Sequence, residues 1–279
     1  MSIESLIASI LNEIKGVEGV RAVVLGGSRA RGTHTPSSDI DLGIYYDPHT
    51  PLDLHTLRQT ATRLDDEHRT DVITDIGGWG PWINGGGWLK IWSHPVDFLY
   101  RDLERVSAII EDCLHGRIEI FYQPGHPLGF VSSIYLAEVA VCHPLWDPEG
   151  LISERKEKVI PYPESLQEGL IQKFAWEIDF SLSVARKSVE RADVAYAAGC
   201  CFRSVMCMLQ VLFALNKQHW LNEKGAVAVA DMFPIKPVRL GSRVEQVFRS
   251  LDANPPSIQN SINLLEELSK DTGSLIADA

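Results

Sequence analysis

An α+β fold in two domains is what this 279-residue sequence predicts: an α/β domain over residues 1–150 and a helical bundle over residues 151–279. Three observations carry that reading. Helical-period segments alternate with short β-type runs as far as residue 150. Beyond Pro161 and Pro163 the strand signals stop, and residues 164–190, 193–216, roughly 240–252 and 257–275 show helical periodicity. The length suits one large domain or two ordinary ones, and it buries a core without disulfide or metal staples.

The elements follow in order. Ile3, Leu6, Ile7, Ile10, Leu11 and Ile14 fall at helical spacing, so an amphipathic helix opens the chain and ends at Gly16 and Gly19. Val20 to Leu25 is a β-type run that leads into Gly26-Gly27-Ser28. A polar stretch, Arg29 to Ser38, precedes a second strand from Asp39 to Tyr46, whose first residues alternate polar and apolar. Residues 53–64 read as a helix, and Val72-Ile73-Thr74 as a strand start. Residues 77–92 hold six glycines and four of the seven tryptophans, Trp79, Trp82, Trp88 and Trp92, and Asn84-Gly85 predicts a hairpin turn there. Pro95 to Tyr100 is an alternating strand, residues 101–114 a helix, Ile118 to Tyr122 a strand, and Pro144 to Gly150 a turn leaving the domain. In the second half, Val205 to Leu215 is apolar nearly all round and reads as the buried central helix of a bundle. Trp220 to Gly225 reads as a helix end capped by glycine.

Composition removes several function classes. Apolar residues make up 45% and charged residues 23%, which is globular and not disordered. No apolar run reaches the ~20 residues of a membrane span. The N-terminus lacks the basic start and apolar core of a signal peptide, so the cytoplasm is the expected compartment and no membrane partner is expected. Five cysteines without Cys-x-x-Cys spacing argue for free thiols over a disulfide framework or a zinc site. The net charge of -11 argues against a nucleic-acid track. That excess is concentrated: residues 1–150 hold 11 Lys+Arg against 21 Asp+Glu, and residues 151–279 hold 15 against 16.

The chemistry sits in the first domain. Asp39 and Asp41 are two apart on a strand, so their carboxylates share a face and repel unless a cation lies between them. Hard oxygen ligands of this kind suit Mg²⁺. Upstream, Gly26 and Gly27 let a phosphate approach the backbone, with Ser28 and Arg31 on or near one side of the turn. The pattern of Gly26-Gly27-Ser28 followed by Asp39-Ile40-Asp41-Leu42 resembles the nucleotidyltransferase superfamily that shares its catalytic core with DNA polymerase β. In look it is closest to the antibiotic-type and other small-substrate members.

That resemblance implies a mixed sheet flanked by helices, with a third carboxylate on a later strand, for which Asp97 fits by position. It implies two Mg²⁺ ions on Asp39, Asp41 and Asp97, and an NTP whose β- and γ-phosphates are held by Gly26, Gly27, Ser28 and Arg31. It further implies transfer of an NMP, AMP first, to a hydroxyl of a small acceptor such as an aminoglycoside-like or lincosamide-like antibiotic. A homodimer is compatible with it. Some relatives take a base from the helical domain, for which Glu177 and Asp179 are the candidates. The competing readings are a regulatory enzyme that modifies a protein partner and a non-catalytic nucleotide-binding module. The Trp-rich segment either stacks on a ligand ring or packs the hairpin onto the sheet.

Overall fold

The computed structural model describes residues 2–279. The chain divides into two units. The first runs to Asp112 and adds Glu119–Gly125 and Gly129–Pro161; the second takes Cys113–Ile118, His126–Leu128 and Tyr162–Ala279.

The first unit begins with α1 (Ile3–Ile14), capped by the Ser2 side chain, which accepts from the Ser5 amide. Then come β1 (Val20–Leu25), a one-turn α2 (Gly27–Ala30), β2 (Ile40–Tyr46), α3 (Leu54–Leu64), β3 (Gly86–Ile91), β4 (His94–Asp102) and α4 (Leu103–Leu114). Short β5 (Ile120–Phe121) and β6 (Phe130–Val131) pair with each other. The unit closes with α5 (Ser133–Val141), β7 (His143–Trp146) and α6 (Leu151–Val159).

Five strands form one mixed sheet in the order β3-β4-β2-β1-β7. Only β2 and β4 run parallel; the other three pairings are antiparallel. Alternation gives the sheet two unlike faces. Ile40, Leu42, Ile44, Val96, Phe98, Tyr100, Leu89 and Ile91 are buried in one cluster with Leu6, Ile10 and Ile14 of α1 and Leu57 and Ala61 of α3. Each such side chain stabilises the fold by about 1.5–3 kcal/mol on burial. The intervening positions, Asp41, Asp97, Trp88 and Lys90, fall on the opposite face.

Four local expectations are corrected. The hairpin turn is not Asn84-Gly85: β3 starts at Gly86, and the turn is Trp92-Ser93, with φ of 49° and 65°. Bulky residues rarely take such angles. Here the Asp66 carboxylate holds the turn by accepting from the Trp92 amide at 2.8 Å and the Ser93 amide at 2.7 Å. The strand expected at Val72-Ile73-Thr74 is a single bridge, Ile73 to Gly87. Pro144 to Trp146 lies in an edge strand and not in a turn, and proline is tolerated at a sheet edge. Gly225, in the left-handed region at φ 75°, precedes a helix instead of ending one. No helix is predicted from the sequence at α5, because seven of its nine residues are buried and polar contrast is absent.

Asp65 locks the α3 end to the hairpin. Its side chain is fully buried and accepts from the amides of Glu67, Arg69 and Lys90 and from both arms of the Arg69 guanidinium. The Arg69 fork holds its carboxyl well below the usual range. The stability it contributes is therefore present above about pH 4 and is lost as the pH falls below that value. Asp65→Ala is expected to destabilise the protein by about 2 kcal/mol at pH 7, read by urea unfolding, because it leaves three backbone amides and the half-exposed Arg69 guanidinium without their acceptor.

The second unit is helical: α7 (Glu164–Ala185), α8 (Val194–Leu215), α9 (Ala226–Ala230), α10 (Leu240–Arg249) and α11 (Pro255–Ala277). The α7 and α8 helices pair antiparallel, with the Gln167 amide donating to the Ala214 carbonyl at 3.0 Å and the Ser204 hydroxyl to the Ile178 carbonyl at 3.0 Å. Helix α8 is long and apolar enough to cross a membrane by composition, but 72% of its apolar window is buried inside the protein.

Candidate active site

Strand β1 delivers the chain to Gly26, whose amide donates to the Asp41 carbonyl at 2.8 Å and docks the glycine turn onto β2. Gly27 has φ of 59°, and a Cβ there would lie 1.8 Å from the Asp41 Oδ2. Glycine is thus required twice, for its backbone angle and for the space that the carboxylate occupies. Ser28 is half-buried on α2. Arg31 directly follows α2, is exposed, and makes no side-chain hydrogen bond or ion pair among the described residues. Arg29, which motif reasoning passes over, has a defined task. Its Nε donates to the Asp39 carbonyl at 2.9 Å and its Nη2 to the Ser38 carbonyl at 2.7 Å, fixing the chain as it enters β2.

Asp41 on β2 and Asp97 on β4 are register partners across the parallel pair, so their side chains share one face. Trp88 on β3 is the register partner of Asp97 on its other side. Gly26, Asp41, Asp97 and Trp88 therefore form one line across the sheet, at a strand spacing of about 4.8 Å. Asp39 stands just before the first residue of β2, off the strand proper, and is exposed. It still belongs to the group, since it shares a cleft of about 420 Å³ with Asp97, Glu67, Arg69, Trp88 and Lys90.

Burial, then the charges of Asp41 and Asp39, push the Asp97 carboxyl up to about 7. Two acids that raise the proton affinity of a third make a donor set that a divalent cation would relieve. Among the described residues no group of three or more His, Cys, Asp or Glu side chains is arranged so that it could hold a metal ion. Mg²⁺ commonly takes only one or two carboxylates and completes its shell with waters and substrate oxygens. The raised affinity has a sign for stability. The protonated Asp97 favours the fold at low pH, and that contribution is lost as pH rises through 7. Asp97→Asn is expected to raise the melting temperature of the metal-free protein at pH 8 and leave it unchanged at pH 4, by calorimetry at both values.

The four tryptophans divide. Trp82 packs on Phe121 with ring centroids 4.0 Å apart and on Phe130 at 5.5 Å, which is a structural role. Trp79 stacks on Trp88 at 4.5 Å and 20° between planes, and Trp88 remains 63% exposed. Period-two alternation in Trp88-Leu89-Lys90-Ile91 sets Trp88 and Lys90 on one side, but only the strand register reveals that Trp88 faces Asp97. The two acids expected as bases from the helical half are both engaged within it: Glu177 pairs with Arg203, and Asp179 accepts from the Ser269 hydroxyl at 2.5 Å.

Residues 5–113 match the family model described as Nucleotidyltransferase domain. Residues 131–224 match the family described as Domain of unknown function (DUF4037). No curated protein matches the chain. Among solved structures, the crystal structure of a nucleotidyltransferase-like protein from Exiguobacterium sibiricum 255-15 aligns over 99% of this chain and 78% of its own, at 10% identity and a TM-score of 0.47.

Proposed function

Because the N-terminal domain of this chain belongs to the nucleotidyltransferase superfamily, we propose that the protein transfers AMP from ATP to a hydroxyl of a small acceptor. The observation that supports this most is the line of Gly26, Asp41 and Asp97 across three neighbouring strands. It sets a glycine turn able to receive phosphates next to carboxylates able to hold a cation.

In this reading Gly26, Gly27, Ser28 and Arg31 bind the β- and γ-phosphates. Asp39, Asp41 and Asp97 hold the divalent ions, Mg²⁺ by donor chemistry. Bound there, the metal supplies charge neutralisation for the α-phosphate and for the departing pyrophosphate. Asp97 is also the carboxylate placed to take the acceptor proton, since it lies between Asp41 and Trp88 across the sheet. The acceptor oxygen loses that proton and bonds to the α-phosphorus; the bond between the α-phosphorus and the bridging oxygen breaks, and pyrophosphate leaves. Aminoglycoside-like and lincosamide-like compounds are the first acceptors to try, on resemblance alone.

The test is a mass-shift screen with each NTP, Mg²⁺ and a panel of aminoglycosides, lincosamides and proteins. A gain of one NMP on a small molecule is the expected result. A gain on a protein alone assigns the regulatory reading, and a gain of a single phosphate means that a different bond is broken.

A further inference from the structure

Trp88 occupies a position that the reaction above does not use. It is the largest exposed side chain on the line that holds the carboxylates, and one face of its indole is covered by Trp79 at 4.5 Å while the ring is still 63% exposed. An indole stacked on one side and open on the other is a rigid platform for a second flat or ring-shaped group. The strand order places it at a defined end of the site. The glycine turn follows β1, Asp41 is on β2, Asp97 on β4 and Trp88 on β3, and the sheet order is β3-β4-β2-β1. Trp88 and the glycine turn thus lie on opposite sides of the carboxylates.

Displacement at phosphorus runs with attacking and leaving oxygens roughly in line. With the pyrophosphate at the glycine turn, the acceptor must approach from the opposite side, where Trp88 stands. We infer that Trp88, stacked on Trp79, is the acceptor platform, and that a ring of the acceptor lies on its open face beside the hydroxyl that reacts. This rests on the nucleotidyl-transfer reading above. The cleft beside Trp88, of about 420 Å³, is of the size that takes a small molecule. Its polar lining supports the hydroxyls: Lys90 and Glu67 offer a cationic donor and an anionic acceptor beside the indole, and Arg69 is steadied by Asp65 and by the Trp88 carbonyl, to which it donates at 3.4 Å. Open ring faces of sugars and cyclitols stack on indole, and their hydroxyls take such rim contacts.

The test compares wild type, Trp88→Ala and Trp88→Phe with Mg-ATP and three acceptor probes: kanamycin A, 2-deoxystreptamine and the open-chain polyol sorbitol. Pyrophosphate release without acceptor is followed in parallel. The expected result is adenylylation of a ring compound but not of sorbitol. Trp88→Ala should raise the KM for that ring compound about tenfold with the KM for ATP within about twofold, and Trp88→Phe should restore most of the loss. An unchanged ring-acceptor KM in Trp88→Ala overturns the proposal. A raised KM for ATP also overturns it and makes Trp88 a platform for the base of the nucleotide. Pyrophosphate release in wild type with no ring compound modified overturns the acceptor class while leaving nucleotidyl transfer intact. Absence of pyrophosphate release overturns the underlying reading and this one with it.

Discussion

Asp41→Asn is expected to lower nucleotidyl transfer about a thousandfold or more while the protein remains folded. The substitution keeps shape and removes one charge from the centre of the line formed by Gly26, Asp41 and Asp97. A metal ion at a transferring phosphate contributes several kcal/mol, and each 1.36 kcal/mol is a factor of ten in rate. The same variant is expected to lose Mg²⁺-dependent binding of ATP by titration calorimetry, and Asp39→Asn to behave alike. Equal binding and turnover in wild type and both variants would remove the metal from the account. A second consequence separates electrostatics from damage. With Asp41 neutral, one of the two charges that raise the Asp97 proton affinity is gone, so the Asp97 carboxyl should titrate lower in Asp41→Asn than in wild type.

Gly27→Ala is expected to abolish the same binding by a steric route. A methyl group at this position meets the Asp41 carboxylate 1.8 Å away, and φ of 59° is strained for alanine. The carboxylate or the turn must shift, and the strain alone costs about 1–3 kcal/mol of stability. Gly26→Ala is the matched control for stability. Its added methyl would stand 3.8 Å from the nearest Asp41 atoms, and its φ of -114° is ordinary. Urea unfolding should therefore show Gly27→Ala well below wild type and Gly26→Ala within about 1 kcal/mol of it. Equal losses in both would mean that the turn is not seated on Asp41 in solution.

These two variants also show what could be read from residues in order. The glycine turn and the acids at Asp39 and Asp41 are legible because local chemistry dictates them: a glycine pair after a strand, then two carboxylates at period two. Asp97 is legible only by its strand character and by resemblance, since its relation to Asp41 is a register, and register is a property of the folded sheet. Trp88 is the plainer case. Its segment reads as glycine-rich with a turn at Asn84-Gly85, whereas the chain turns at Trp92-Ser93 because Asp66, 26 residues upstream of Trp92, supplies the hydrogen bonds that the local sequence lacks. Moving that turn decides which hairpin residues meet Asp97. The long helices α7, α8 and α11 were readable from their period, and α5 was not, because a helix buried on nearly every side carries no period.

The acidity of the first domain now divides by position. Asp39 and Asp97 line one cleft and Asp41 stands beside Asp97 on the neighbouring strand, where a divalent ion would reverse the local sign and admit a triphosphate. Asp65 and Asp66 hold the β3–β4 hairpin that carries Trp88. Glu67 lines the same cleft, and Glu138 pairs with the buried Arg101.

The central claim is that the bond broken is the one between the α- and β-phosphates. Incubation of the protein with Mg²⁺, an acceptor mixture and ATP labelled at either the α- or the γ-phosphate tests it most directly. The account predicts α-label on the acceptor, γ-label in released pyrophosphate, and neither in Asp41→Asn. Transfer of the γ-label to acceptor, or label transfer that persists in Asp41→Asn, would contradict it.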